Sequence, residues 1–141
     1  MPPDDPFLQF AGATVVEAGP AHAVAEQRHD PELDNHAGVR HAGALFTVGY
    51  AASRALVSAA LTGQEISSPA RMSGCQIAYE KVVSAGVVTA SADPAAEDWQ
   101  ALLRRASGGE QVLLPTTVTL RDDEGRMVTT MNVAWDVGPQ S

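Results

Sequence analysis

The chain has 141 residues, a formal net charge of -8 and a pI near 4.7. With a single lysine, Lys81, that acidic balance excludes a surface that tracks phosphates, and so excludes nucleic acid as a partner. One cysteine, Cys75, excludes an internal disulfide, and the length suits one domain with one core.

Met1 to Pro6 is rich in proline and aspartate and reads as a loop, with Phe7 to Phe10 able to add a helical turn. This start has neither the basic nor the apolar region of a secretory signal, so the expected compartment is the cytoplasm. Ala13 to Ala18 carries β-branched Thr14, Val15 and Val16. After Gly19-Pro20, the stretch His22 to His29 alternates Ala23, Ala25 and Gln27 against Val24, Glu26 and Arg28, which predicts a hairpin.

Asn35 to Gly43 has turn chemistry, with Gly38, Gly43, two histidines and an asparagine. From Ala42 to Leu61 the chain is alanine-rich, lacks proline and carries only Arg54 as a charge. That predicts a helix buried nearly all round, ending near Thr62-Gly63. Its length would span a membrane, but alanine, glycine and serine dilute its apolarity and Arg54 would be costly there. Thr47, Arg54 and Ser58 follow i, i+7, i+11, and Tyr50 shares their stripe. We read that stripe, which begins beside Gly43, as the floor of a pocket.

Ser67-Ser68-Pro69 forms a connection. Cys75 to Ser84 alternates as a strand, and Val87 to Asp93 follows Ala85-Gly86 as its expected hairpin partner. Ala95 to Ala106 is helical in composition, or else a bulged edge strand. Glu110 to Arg121 and Arg126 to Val137 make the last pair, joined by Asp122-Asp123-Glu124-Gly125, with Pro115 expected at a bulge or an edge. These elements predict an α+β fold, a curled antiparallel sheet of about six strands around one long central helix.

The run Asn35-x-x-Gly38-x-x-His41-x-Gly43-Ala44-Leu45-Phe46, entering a helix after a strand pair, resembles the signature of the hotdog-fold thioesterases. It is most similar to the phenylacetyl-CoA thioesterase-like branch of the 4-hydroxybenzoyl-CoA thioesterase superfamily. Cys75-x-Ile77-x-Tyr79-Glu80-Lys81 also resembles that family, and the resemblance covers roughly residues 13 to 137. It implies a homodimer or dimer of dimers, acyl thioesters such as acyl-CoA as small-molecule partners, and no cofactor beyond coenzyme A as part of the substrate.

By the same resemblance, the Gly43 backbone N–H would meet the thioester carbonyl oxygen, which suits the positive end of a helix. Asn35 and His41 would position thioester or water. Gly38, Phe46, Thr47, Arg54, Ser73 and Lys81 are the expected substrate contacts. The family's acid, two turns into the helix, corresponds here to Tyr50, and a phenol is a poor base near neutral pH.

Three accounts stay open. The base is Asp34, His41, Glu80 or a partner's acid; or Tyr50 donates a hydrogen bond in an addition or elimination; or the site only binds. Arg40, Arg71, Lys81, Arg104 and Arg105 are candidates for the phosphates of coenzyme A. His29, His36 and His41 with Asp30 and Asp34 match no metal-ligand spacing, so no metal is expected. Cys75 sits in an apolar alternation where a small buried thiol is ordinary.

Overall fold

The computed structural model describes residues 13–28, 40, 42–83 and 86–138. Its elements are β1 (Ala13–Ala18), β2 (Ala23–Gln27), α1 (Ala42–Gly63), β3 (Ala70–Tyr79), β4 (Val88–Pro94), α2 (Trp99–Ser107), β5 (Val112–Arg121) and β6 (Met127–Val137). The six strands form one antiparallel sheet in the order β1-β2-β4-β5-β6-β3. The sheet curls round α1, which touches every strand.

The alternation in β2 places Ala23, Ala25 and Gln27 inward, all fully buried. Opposite them β4 offers Val88, Ala90 and Ala92, and α1 answers with Ala51, Ala52 and Ala55. Alanine against alanine lets the helix axis approach the sheet closely, and Leu56, Val48 and Leu120 fill the remaining volume. Gly49 marks the tightest point, where a β-carbon would collide with the sulfur of Met131. By length and composition α1 could cross a membrane, yet most of it is buried inside this sheet.

Two expectations change. β3 begins at Ala70 rather than Cys75, stops at Tyr79, and pairs with β6, so β3 and β4 are not a hairpin. The reason lies in the connection between them. Glu80 and Lys81 both donate backbone N–H groups to the Val128 carbonyl, keeping the chain beside β6, and Val83 accepts from the Arg40 N–H at 2.6 Å. β4 accordingly lies two strands away from β3's neighbour β6, between β2 and β5.

Of the two settings expected for Pro115, the structure shows the edge and not the bulge: it sits in β5 just past the last residue paired with β4, and the irregularity of the β5–β6 pair falls between Leu120 and Arg121. The proline is tolerated because β4 has just ended beside it, and its carbonyl accepts from Ala95. The stretch after β4 is helical, as α2. It carries Arg104 and Arg105 in its last turn and packs Trp99, Leu103 and Ala106 inward.

Candidate functional site

Most of α1 is buried, so its uncovered residues stand out. Gly43 is exposed in the first turn, and Phe46, Tyr50, Arg54 and Ser58 are half-buried before Thr62 becomes exposed. From Phe46 the step is four residues each time, which draws one line along the cylinder. This is the stripe expected from the sequence, except that Thr47 has turned inward. It is buried, and its hydroxyl donates to the Gly43 carbonyl at 2.8 Å, so Thr47 shapes the helix start rather than meeting a substrate.

Aromatic rings wall the middle of the stripe. Tyr50 stacks on Phe46 with ring centroids 6.1 Å apart and lies 5.7 Å from the Trp135 ring. Trp135 is held from behind by a buried relay. Its indole N–H donates to Ser53 Oγ at 2.8 Å, Ser53 meets Thr116 Oγ1 at 2.6 Å, and Thr116 donates to the Val133 carbonyl at 2.9 Å. Because Thr116 spends its proton on Val133, Ser53 must be the donor to Thr116, and every member is satisfied.

The inner face of β3 borders the helix start. Cys75 and Ile77 are partly buried there, and the Tyr79 hydroxyl donates to the Ala42 carbonyl at 3.2 Å. Burial pushes the Cys75 thiol up, so it is no activated nucleophile. Burial and the neighbouring Cys75 also push the Tyr79 phenol up, which keeps it a donor. Beside Tyr79 in the β3–β6 register is Thr129, whose buried hydroxyl has no hydrogen-bond partner among the described residues.

The helix start is anchored by a network that the sequence did not announce. Gln27, fully buried on β2, donates from Nε2 to the Ala44 carbonyl at 2.7 Å and accepts from Arg40 Nη1 at 2.9 Å. Arg40 Nη2 donates to the Gly86 carbonyl at 2.7 Å. Arg40 is thus a buried structural cation, 4% exposed, and is removed from the phosphate candidates. Only its long-range partners, Gln27 and Gly86, reveal this role.

Asn35, Gly38 and His41, with Asp34 and the histidines weighed as metal ligands, lie outside the described residues. Among the described residues no group of three or more histidine, cysteine or acidic side chains could hold a metal. Ser73 sits at an irregularity of β3 and donates to the Ala134 carbonyl at 3.3 Å. Glu80 and Lys81 are exposed just beyond Tyr79, at the end of β3 that reaches the helix start. Arg71 is exposed on β3, and Arg104 and Arg105 lie on α2, where Arg105 pairs with Glu110. The expected phosphate candidates therefore do not form one cluster.

A cavity of about 480 Å³ opens where the stripe reaches the C-terminal half of α1 and the connection to β3. Trp135 and Arg54 border it on the side nearest Tyr50.

A family described as a domain of unknown function, DUF4442, matches residues 4–137. No curated protein matches the chain. Among solved structures, a Pseudomonas aeruginosa protein of unknown function, with a thioesterase activity suggested in its description, superposes with a TM-score of 0.81 at 18% identity, covering 97% of this chain and 91% of that one. An esterase candidate from Mycobacterium tuberculosis gives 0.79 at 21% identity, covering 96% and 99%. A thioesterase from Haemophilus influenzae gives 0.76 at 17% identity, covering 93% and 81%. The fold is that of the hotdog-fold thioesterases, as the resemblance implied.

Proposed function

Because the chain belongs to the DUF4442 family and has the hotdog fold, we propose that it hydrolyses an acyl thioester, with acyl-CoA as the substrate class. The observation that carries this reading is the half-uncovered stripe on an otherwise buried helix. It runs from the exposed Gly43 turn past Phe46 and Tyr50, beside the inner face of β3. The first turn of a long helix concentrates positive potential, which favours the oxyanion formed when water adds to a thioester carbonyl. Asn35 and His41 then position the thioester or the water.

Water adds to the carbonyl carbon, a base takes its proton, the oxyanion collapses, the C–S bond breaks, and the thiolate leaves to be protonated. Tyr50 does not serve as that base; it packs as a wall between Phe46 and Trp135. Glu80 is our candidate, since Tyr79 ties the end of β3 to the Ala42 carbonyl and Glu80 follows next in the chain, exposed.

The protein works as a homodimer, or a dimer of such dimers, in the cytoplasm. β3 is ten residues long, lies at the sheet edge, and is exposed along most of its length, with Met72 and Tyr79 uncovered. Such an edge invites antiparallel pairing with a second copy, which would also close the stripe.

Release of thiol from a panel of acyl-CoAs tests the activity. We expect turnover, with Asn35→Ala, His41→Ala and Glu80→Gln each lowering kcat by about 10²–10⁴-fold while Tyr50→Phe changes it little. A second reading follows from Tyr50 filling the space of the family's acid: a protein that binds acyl thioesters without turning them over. Retained acyl-CoA binding with no thiol release from any panel member would establish that reading instead.

A further inference from the structure

We propose that the cavity between the C-terminal half of α1 and residues 66–70 holds an anionic oxygen group of the substrate, with Arg54 as its cation. The group is either a carboxylate at the far end of the acyl chain or a phosphate of the thiol carrier. This deepens the thioester reading and rests on it.

The cavity, about 480 Å³, is lined by Arg54, Ser58, Thr62, Ser67, Ser68 and Trp135, among others. A guanidinium and four hydroxyls bordering one space make a donor-rich pocket. The planar fork of arginine matches carboxylate or phosphate oxygens, and hydroxyls satisfy the lone pairs that remain. A plain alkyl end placed here would strip water from those hydroxyls without replacing their hydrogen bonds, which costs free energy.

The cavity also continues the thioester site. Arg54, Ser58 and Thr62 extend, at four-residue steps, the line that carries Phe46 and Tyr50. Trp135 belongs to both, since its ring meets Tyr50 and also walls the cavity. At 1.5 Å per residue, Arg54 lies about 6 Å beyond Tyr50 and about 16 Å beyond Gly43 along the axis, less the several ångströms that its own side chain can span. A ligand held at Gly43 meets Arg54 only through an extended linker, a length supplied by a medium ω-carboxyl acyl chain or by the pantetheine arm of coenzyme A.

Calorimetry with non-hydrolysable 2-oxoalkyl thioether analogues tests this. Four ligands are compared: the analogues of suberoyl and octanoyl groups, each carried on coenzyme A and on N-acetylcysteamine, which lacks phosphates. If Arg54→Gln weakens both suberoyl analogues roughly tenfold or more and spares both octanoyl ones, the pocket takes the acyl carboxylate. If it weakens both coenzyme A analogues alike and spares both N-acetylcysteamine ones, the pocket takes a phosphate. Equal loss on all four, or no loss on any, overturns the proposal. Ser58→Ala, expected to give a smaller loss in the same pattern, decides the matter should Arg54→Gln not fold. Failure of the wild-type protein to release thiol would sink the hydrolase reading, while analogue binding would still judge the pocket; failure to bind any analogue would overturn both.

Discussion

Removing the Ser53 hydroxyl tests the buried relay behind Trp135. In Ser53→Ala the indole N–H loses its acceptor in a site closed to water, since Ser53 is fully buried and Trp135 is 3% exposed. A stranded buried donor costs about 1–3 kcal/mol. Thr116 keeps its bond to the Val133 carbonyl and loses only an incoming one, a smaller debit. Alanine regains about 0.5 kcal/mol as the better helix former. The net loss is therefore about 1–2.5 kcal/mol, a fall in Tm of about 3–5 °C per kcal/mol for a chain of this size.

Urea unfolding followed by circular dichroism reads the stability change, and nitrogen–proton correlation spectra read the cause. With two tryptophans in the chain there are two indole N–H resonances, and only the one from Trp135 should move. Combining Ser53→Ala with Thr116→Val should cost less than the two separately, because the second substitution acts on a relay already broken. Wild-type stability in Ser53→Ala with both indole resonances unmoved would refute the relay as drawn.

Three further outcomes are expected. Gln27→Leu takes one acceptor from the buried Arg40 guanidinium and should destabilise by about 2–3 kcal/mol in urea unfolding, with the first turn of α1 losing amide-exchange protection before the sheet does. Thr129→Val removes a buried hydroxyl that has no partner among the described residues and should leave Tm unchanged or raise it, whereas a clear fall would reveal a bond for that hydroxyl. Asp122 organises the β5–β6 turn: burial pushes its carboxyl up, but the Arg126 backbone and side-chain bonds, the Glu124 N–H and the Arg126 charge outweigh that and hold it below the usual carboxylate range. A lowered value means that its stabilisation is present above the unfolded pKa of about 3.9 and is lost as pH falls through the folded one. The Tm gap between wild type and Asp122→Ala should therefore be constant near neutral pH and shrink below about pH 4.

What the sequence disclosed follows the reach of each signal. Helix α1 was legible because its alanine content, lack of proline and closing Gly63 are local properties. The β1–β2 hairpin was legible because β2 buries one face only, so its alternation survives in the text of the chain. The first half of β3 was not, since Arg71, Met72, Ser73 and Gly74 are exposed on both faces of an edge strand and leave no alternation to read. The separation of β3 from β4 is not legible, because adjacency in sequence implies a hairpin, whereas β5 and β6 lie between the two strands in the sheet. Ser53, Thr116 and Trp135 join across 63 and 82 residues, and Gln27 meets Arg40 through a fold that no single segment encodes. Of the expected site, the stripe on α1 was readable from spacing, while the inward turn of Thr47 depended on which way one hydroxyl was needed.

The uncovered stripe and the uncovered strand have a common origin. A sheet of six strands with β1 and β3 at its edges wraps α1 on the sides of β1, β2, β4 and β5 most closely, and reaches its remaining side only through β6 and β3. The line from Gly43 to Thr62 falls in that gap, so the residues that the sheet does not cover border the proposed ligand path. Phe46 and Tyr50 cannot face water there without cost, and two half-exposed aromatic side chains beside a bare strand edge are a surface that gains by being covered. A second copy pairing along β3 would cover both at once and turn an open stripe into a channel. Acyl-thioester binding and dimerisation should then weaken together when Cys75→Pro, at a position of β3 whose N–H faces away from β6, blocks the edge. A monomeric Cys75→Pro that binds acyl-CoA as tightly as the wild type would break that connection.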